Sequence, residues 1–583
     1  MKKFAALLLA LVLCMSALGA MADTYAGEAT GFGGAIKLEA EVTDGTIVAI
    51  NVLEANETET IGGMALNLLP EMVVSAQSTN IDGVSGATVT SGAFFEAVNA
   101  ALTAAGLDPA ALVPVEKSGE AVETEELNCD VVVVGAGGAG MAAALKMNDQ
   151  GYNVIVLEKQ AFVGGATAMS GGSALASGSK YQALSGVEDS AEACFAYLME
   201  YGDYENDGTP AWMLASKSGY AVDWLSDSMG IPFAEKMTGR ARSAEGGGSG
   251  LAQNLYNKTQ EKNIPVMLNT RAYKLTDTEG RVDGVLARDV LTGKEYVVNA
   301  KAVLLATGGY CYAPELLGEE FQSPAYVLSG SKANTADGLY MAQEYGAVLQ
   351  NMDHVTMSGA GINRGDKGQH TRRATSTVYS KYGAILVNQD GQRICNEADP
   401  SKDMVPAMRK QRNSYILMDQ ATFDVYAEAC VSGGYFKQEQ LDQWLAENGT
   451  GVTVFAHGET LEEVAAAVNV DAAGLAATVE RYNGFVAAGE DTDFGHPVSL
   501  PIGEGPYYLV EQVLRFSTTM GGLTIDNNLQ VVDSMNKPID GLFAAGEVIG
   551  GVYGAHFPSS CGVGWAMTSG VLAGEFISAY LAE

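Results

Sequence analysis

The chain has 583 residues, 47% of them hydrophobic and 18% charged, enough to bury several cores. At roughly 100–200 residues per domain, that length predicts three or four units. Acidic residues outnumber basic ones 70 to 34, for a formal charge of −36. A surface this negative repels phosphate backbones and anionic lipid, which excludes nucleic-acid binding and polybasic membrane attachment.

Lys2 and Lys3 precede an apolar run from Phe4 to about Ala20, and Ala20-Met21-Ala22 offers the small residues read by a signal peptidase. Residues 1–22 therefore read as a signal peptide with Asp23 as the mature start. The run is too short for a transmembrane helix, which needs about 20 residues. The protein is expected to be exported: secreted, periplasmic or at the cell surface.

Residues 23–105 read as a small α+β domain. Residues 35–42 alternate apolar and polar, residues 46–53 form a second strand, and Ala93 to Leu102 shows helical spacing. Just before that helix stands Asp82-Gly83-Val84-Ser85-Gly86-Ala87-Thr88. Residues 106–127, with Pro109, Pro114 and five glutamates, read as a linker.

A larger unit starts at Asn128. A buried strand, residues 129–134, leads into Gly135-Ala136-Gly137-Gly138-Ala139-Gly140 and a helix, and a second strand ends at Glu158-Lys159. This is a GxGxxG sequence in its full βαβ setting, with an acid 18 residues after Gly140. The glycines let the backbone turn tightly and approach a pyrophosphate at a helix N-terminus, and Glu158 would accept hydrogen bonds from an adenosine ribose. The strand-then-glycine texture returns at Gly541–Glu547, after a polar, loop-rich stretch. The layout predicts an α/β, Rossmann-like dinucleotide domain (128–349 and 518–583) interrupted by an inserted α+β capping domain (350–517).

The fingerprint alone does not separate FAD from NAD. Further motifs do: the second glycine loop Val163–Gly172, then Ala306-Thr307-Gly308-Gly309, Asp337-Gly338, Ala545-Gly546-Glu547 and the 559–564 loop. Together they resemble the flavoprotein subunits of fumarate reductases, a group that includes urocanate reductase and the 3-ketosteroid dehydrogenases. The resemblance runs from about Asn128 to the C-terminus. It implies non-covalent FAD held by Gly135, Gly137, Gly138, Ala139, Gly140, Glu158, Lys159, Thr167, Gly171, Gly172, Gly308, Asp337, Glu547 and Val563. It also implies hydride exchange between the flavin and a carbon–carbon double bond. The histidine that tethers FAD covalently in some members is absent from the second glycine loop.

The Asp82–Thr88 run resembles the D-x-x-[ST]-G-A-T sequence of bacterial FMN-binding domains. The resemblance implies FMN joined to Thr88 through a phosphoester by a flavin transferase. The seven cysteines (Cys14, Cys129, Cys194, Cys311, Cys395, Cys430 and Cys561) form no CxxC, so no haem, iron–sulfur cluster or metal site is expected.

The substrate motifs depart from the family. Thr377 and Ser380 stand where an acid and an arginine precede Gly383–Asn388, and Ser401-Lys402 where the proton-donating arginine follows Asn396-Glu397. Thr518 replaces a histidine and Phe557 a carboxylate-clamping arginine. Each lost charge-assisted hydrogen bond is worth about 1.5–3 kcal/mol, so fumarate is not the expected substrate. Phe557, Tyr379 and Tyr382 point to a more apolar or aromatic ligand. Lys402 is the first candidate proton donor and Tyr382 the second; His354 and His556 are candidate substrate contacts, or structural histidines. His370, His457 and His496 read as solvated, and Cys561 as packing.

The expected function is an exported reductase of an activated C=C bond, with electrons passing from a membrane or surface donor through FMN to FAD. A ketosteroid-dehydrogenase-like desaturase and a non-catalytic electron-transfer flavoprotein are the alternatives. A polar-lined, well-formed pocket would argue against the last.

Overall fold

The computed structural model describes residues 23–583 apart from 32, 44, 58–61, 82, 84–86, 115–122, 319–320, 322–325, 365–367 and 400. The signal-peptide reading and most of the Asp82–Thr88 run lie outside the described residues. Thr88 itself opens a helix, Thr88–Ala104.

The N-terminal domain is a three-stranded antiparallel sheet, Asp23–Thr30, Ala35–Thr43 and Thr46–Ala55, covered by helices Gly62–Ala76 and Thr88–Ala104. The alternation in the middle strand puts Ile36, Leu38, Ala40 and Val42 on the helix side, against Leu69, Phe94 and Val98. Ala161 and Phe162 of the larger domain pack against this core.

The nucleotide domain is built on a six-stranded sheet. Val131–Val134 pairs in parallel with Val154–Leu157 on one side and Ala302–Leu305 on the other. Pro538–Ala544 extends it beyond Ala302–Leu305, and Val266–Met267 beyond Val154–Leu157. All four valines of the first strand are buried, as expected of a parallel strand covered on both faces. Helix Gly138–Asp149 and the C-terminal helix Cys561–Ala582 pack together, with Gly570 against the Ala139 carbonyl and Gly574 against Lys146. The two halves of this domain, separated by hundreds of residues, thus meet in one sheet and one helix pair.

A second sheet joins Thr270–Thr278, Arg281–Asp289, Glu295–Asn299 and Thr124–Asn128. The last residues of the predicted linker are therefore a strand of the nucleotide domain, paired in parallel with Glu295–Asn299.

The capping domain centres on the long strand Tyr507–Thr519. It pairs with Val355–Asn363 and Ser414–Asp419, with Phe455–Gly458 and, in parallel, with Tyr326–Leu328. Gly368–His370 adds beyond Val355–Asn363, and Ile385–Asn388 beyond Ser414–Asp419. Tyr326–Leu328 lies before residue 350, so the chain enters the capping sheet earlier than the change of texture indicated. The reason is pairing: a three-residue strand has no periodicity to read, and only its partner places it.

Candidate active site

A cavity of about 790 Å³ opens where the glycine loops meet the capping domain. Its nucleotide end follows from backbone geometry. Gly135, at φ +110°, sits so tightly that a Cβ would lie 2.3 Å from the Ala306 carbonyl oxygen. A Cβ on Gly140 would lie 2.0 Å from the Gly135 carbonyl, so this third glycine lets helix and strand pack. Gly137 is different. It caps helix Gly138–Asp149, and a Cβ there would meet nothing within 4 Å. That open cradle at a helix N-terminus fits a pyrophosphate.

Glu158 is buried at the end of its strand. Oε2 accepts from the Ala136 N–H at 2.9 Å and Oε1 from the Gln160 N–H at 2.8 Å, while burial pushes its carboxyl up from the usual range. These bonds hold the carboxylate at the cavity wall with lone pairs left for a ribose. Lys159 Nζ meets Asp337 Oδ2 at 2.9 Å, and Arg271 Nη2 meets Asp337 Oδ1 at 2.8 Å. Asp337 is held below the usual carboxylate range by these two cations, against the upward push of burial. Thr167, Gly171, Gly308 and Val563 complete this wall. Gly172, with Gly140, stays outside the lining: its Cβ would strike the Gly247 carbonyl carbon at 2.3 Å, a packing role.

Glu547 is half-buried in the cavity wall, and its removal from solvent raises its carboxyl to about 7 despite hydrogen bonds from Thr519 N–H and Oγ1–H and from Asn334 Nδ2. An acid whose folded value is raised stabilises most below its ordinary value of 4.5, and that stability is lost as pH rises through about 7. The flavin-free protein should therefore lose stability, on the order of 3 kcal/mol, between those limits. Glu547→Gln should flatten the dependence, read as denaturant midpoints from pH 5 to 8. An unchanged slope in the variant would assign the titration to another group.

The four catalytic candidates lie outside the cavity lining. Lys402 points to Asp203, with Nζ 3.5 Å from Oδ1 and 5.4 Å from the Tyr201 ring centroid. His556 Nε2 meets Asp203 Oδ2 at 3.1 Å, and His354 lies between Glu205 and Asp353 at 2.6 and 2.9 Å. These three join the capping domain, residues 353–354 and the 556 loop to the 201–205 segment as polar struts. Tyr382 ends helix Arg372–Lys381 and accepts from Thr422 Oγ1 through its carbonyl. Tyr379 is buried in the capping core. Glu397, expected beside the proton donor, instead forms a buried network in which Arg393 bridges it, at 2.6 Å, to Asp491 at 2.7 Å.

The capping end of the cavity is lined by residues that sequence reasoning missed: Thr356, His370, Arg372, Ser376, Tyr435 and Arg515. His370 is half-buried in the cavity wall, not a solvated surface group. Its ring lies 5.0 Å from that of Tyr435, edge to face, and its Nδ1 is shielded from solvent without a hydrogen-bond partner. Burial, then Arg515 and Arg372, push its imidazole down to about 4, so it is neutral at pH 7. Phe557 lines the opposite wall, its ring 4.6 Å from that of Tyr553. Of the three aromatic residues expected at the ligand, Phe557 lines the cavity and Tyr379 and Tyr382 do not, and the charged wall was not expected. His496 is fully buried, against Asn396 Oδ1 at 3.0 Å and the Tyr379 carbonyl at 3.1 Å. Cys561 packs in the core.

Residues 130–563 match the FAD binding domain family, and residues 31–103 the FMN-binding domain family. The chain is 33% identical to a urocanate reductase of Eggerthella lenta over 96% of its own length and 92% of the relative's. It is 27% identical to a vinyl phenol reductase of Lactiplantibacillus plantarum, covering 77% of this chain and 96% of that one. The open conformation of a flavocytochrome c3 fumarate reductase superimposes with a TM-score of 0.61 at 32% identity, over 78% and 79% of the two chains. With an open cradle at the GxGxxG helix, an acid fixed at its ribose position and these matches, the chain belongs to the FAD-binding-domain family of flavin-dependent reductases that act on C=C bonds, and carries an FMN-binding domain ahead of it.

Proposed function

We propose that the protein is an exported reductase of the activated C=C bond of a small organic acceptor other than fumarate. Electrons from a membrane or surface donor enter through FMN joined to Thr88 by a flavin transferase. The observation that carries this reading is the shared volume: the FAD cradle and the polar capping-domain wall line one cavity, so an acceptor there lies against the flavin site. The same well-formed wall speaks against a decayed, non-catalytic site. Bound FAD supplies the hydride and FMN the point of electron entry. The chain's own residues position the acceptor, and the capping domain covers it from water. Export rests on the basic, apolar and small-residue order of residues 1–22.

The test is anaerobic: viologen-reduced holoprotein is offered fumarate, urocanate, aryl acrylates and enone steroids, and dye reoxidation is followed. Reoxidation by an aryl or enone acceptor and not by fumarate is expected. Silence across the panel with both flavins reducible, or fumarate as the preferred acceptor, would overturn the reading. In the same assay Lys402→Ala should leave turnover within about threefold of wild type, because Lys402 is bound to Asp203 away from the cavity. A loss of ~100-fold or more, the range typical of a missing general acid, would return it to the proton-donor role.

A further inference from the structure

Two guanidinium groups of the cavity wall, those of Arg372 and Arg515, stand apart from the flavin cradle. Arg372 opens the capping helix Arg372–Lys381, and Arg515 lies on Tyr507–Thr519 opposite Ser358. The strand between Arg515 and His370, Val355–Asn363, carries Gly361 at the point of approach, where a Cβ would come within 3.3 Å of Arg515 Cβ. Among the described residues neither arginine forms an ion pair. Among the described residues Arg515 Nη2 reaches Ser517 Oγ, at 3.4 Å, and its Nε is shielded from solvent without a partner there. Burial and the neighbouring Arg372 together lower the Arg515 guanidinium to about 10.

The other charged groups lining the cavity are already engaged. Lys159 and Arg271 hold Asp337; Glu158 accepts from backbone N–H groups; Glu547 accepts from Thr519 and Asn334. Arg515 is half-buried and Arg372 exposed, and two neighbouring like charges, one carrying a shielded donor without a partner, favour an anion beside them. Arg372 and Arg515 belong to the capping domain, whereas the pyrophosphate cradle lies at Gly137 on the nucleotide sheet.

We propose that Arg372 and Arg515 form the anion clamp of this reductase and hold the single carboxylate of an unsaturated monocarboxylate. They replace the family clamp whose positions are occupied here by Thr377, Ser380 and Phe557. This inference rests on the reductase reading above. A carboxylate matches the planar, paired donors that an arginine presents through Nε and Nη. With the other lining cations, Lys159 and Arg271, already paired with Asp337, a carboxylate of the acceptor finds its partners at Arg372 and Arg515. The uncharged body of the acceptor then faces Phe557 and Tyr553.

The experiment uses oxidised holoprotein and the flavin absorbance change on adding acrylate, cinnamate or urocanate, each beside its primary amide. At least one acid should bind, about tenfold or more tighter than its amide. Arg515→Gln and Arg372→Gln should each weaken the acid by ~10- to 100-fold and leave amide binding and flavin content unchanged. Arg372→Lys should restore part of the loss. Equal binding of acids and amides, acid binding within about threefold of wild type in both variants, or no binding by any acid would overturn the clamp. Dye reoxidation by neutral cyclohexenone without acid binding would remove the clamp and keep the reductase. Acid binding without reoxidation by any acceptor would remove the reductase and keep an anion site.

Discussion

Gly137→Ala is expected to give a protein that unfolds like wild type yet emerges from desalting without FAD, while Gly135→Val loses both the flavin and much of its stability. The two glycines are neighbours in one motif but face different constraints. At Gly137 the backbone, φ −73° and ψ −179°, suits alanine, and its Cβ would meet no protein atom within 4 Å. The methyl would instead stand in the space through which the pyrophosphate approaches the helix N-terminus, so the loss falls on binding alone. We expect FAD affinity to drop by ~100-fold or more, a difference of about 3 kcal/mol. At Gly135 the φ of +110° is closed to branched side chains, and the Ala306 carbonyl oxygen already fills the Cβ position. There the strand itself must move. Bound flavin measured by absorbance after desalting, with thermal unfolding in parallel, separates the cases. Full FAD occupancy in Gly137→Ala would show that the pyrophosphate passes elsewhere.

Thr88→Val should abolish covalent flavin while leaving FAD in place. Valine keeps the shape and β-branching of threonine at the first position of helix Thr88–Ala104 and removes only the hydroxyl needed for a phosphoester. The variant, produced with a flavin transferase, should show no flavin fluorescence in a denaturing gel and the mass of the unmodified polypeptide. Wild type should show both the fluorescent band and the added mass. Retained fluorescence in the variant would move the attachment site. Reduction by the natural donor should fall by ~100-fold or more if FMN is the entry point, a barrier increase of about 3 kcal/mol. Small viologens that reach FAD directly should still support acceptor reduction.

How much of the site could be read in advance divides along the length scale of the interactions. Gly135, Gly137, Gly138, Ala139, Glu158 and Lys159 lie within one βαβ unit, and all line the cavity. Their roles come from backbone geometry over a few residues, where a missing Cβ or a helix N-terminus has a local signature. The substrate end carries no such signature. Lys402 is a candidate because it stands where the family's arginine is expected, but the turn after Asp399, whose Oδ1 accepts from the Ser401 and Lys402 N–H groups, delivers its side chain to Asp203.

The amino-acid sequence by itself determined the two flavin-binding units, their order and the break in the family's substrate motifs, since each rests on contiguous residues. Tertiary structure alone decided what replaced those motifs. Arg372 and Arg515 are 143 positions apart and reach one cavity only because Val355–Asn363 pairs with Gly368–His370 on one side and Tyr507–Thr519 on the other. Strand pairing between distant segments is set by side-chain packing and register across the whole sheet, not by the residues on either side of an arginine. The charge of the substrate site therefore became visible only in the folded capping domain.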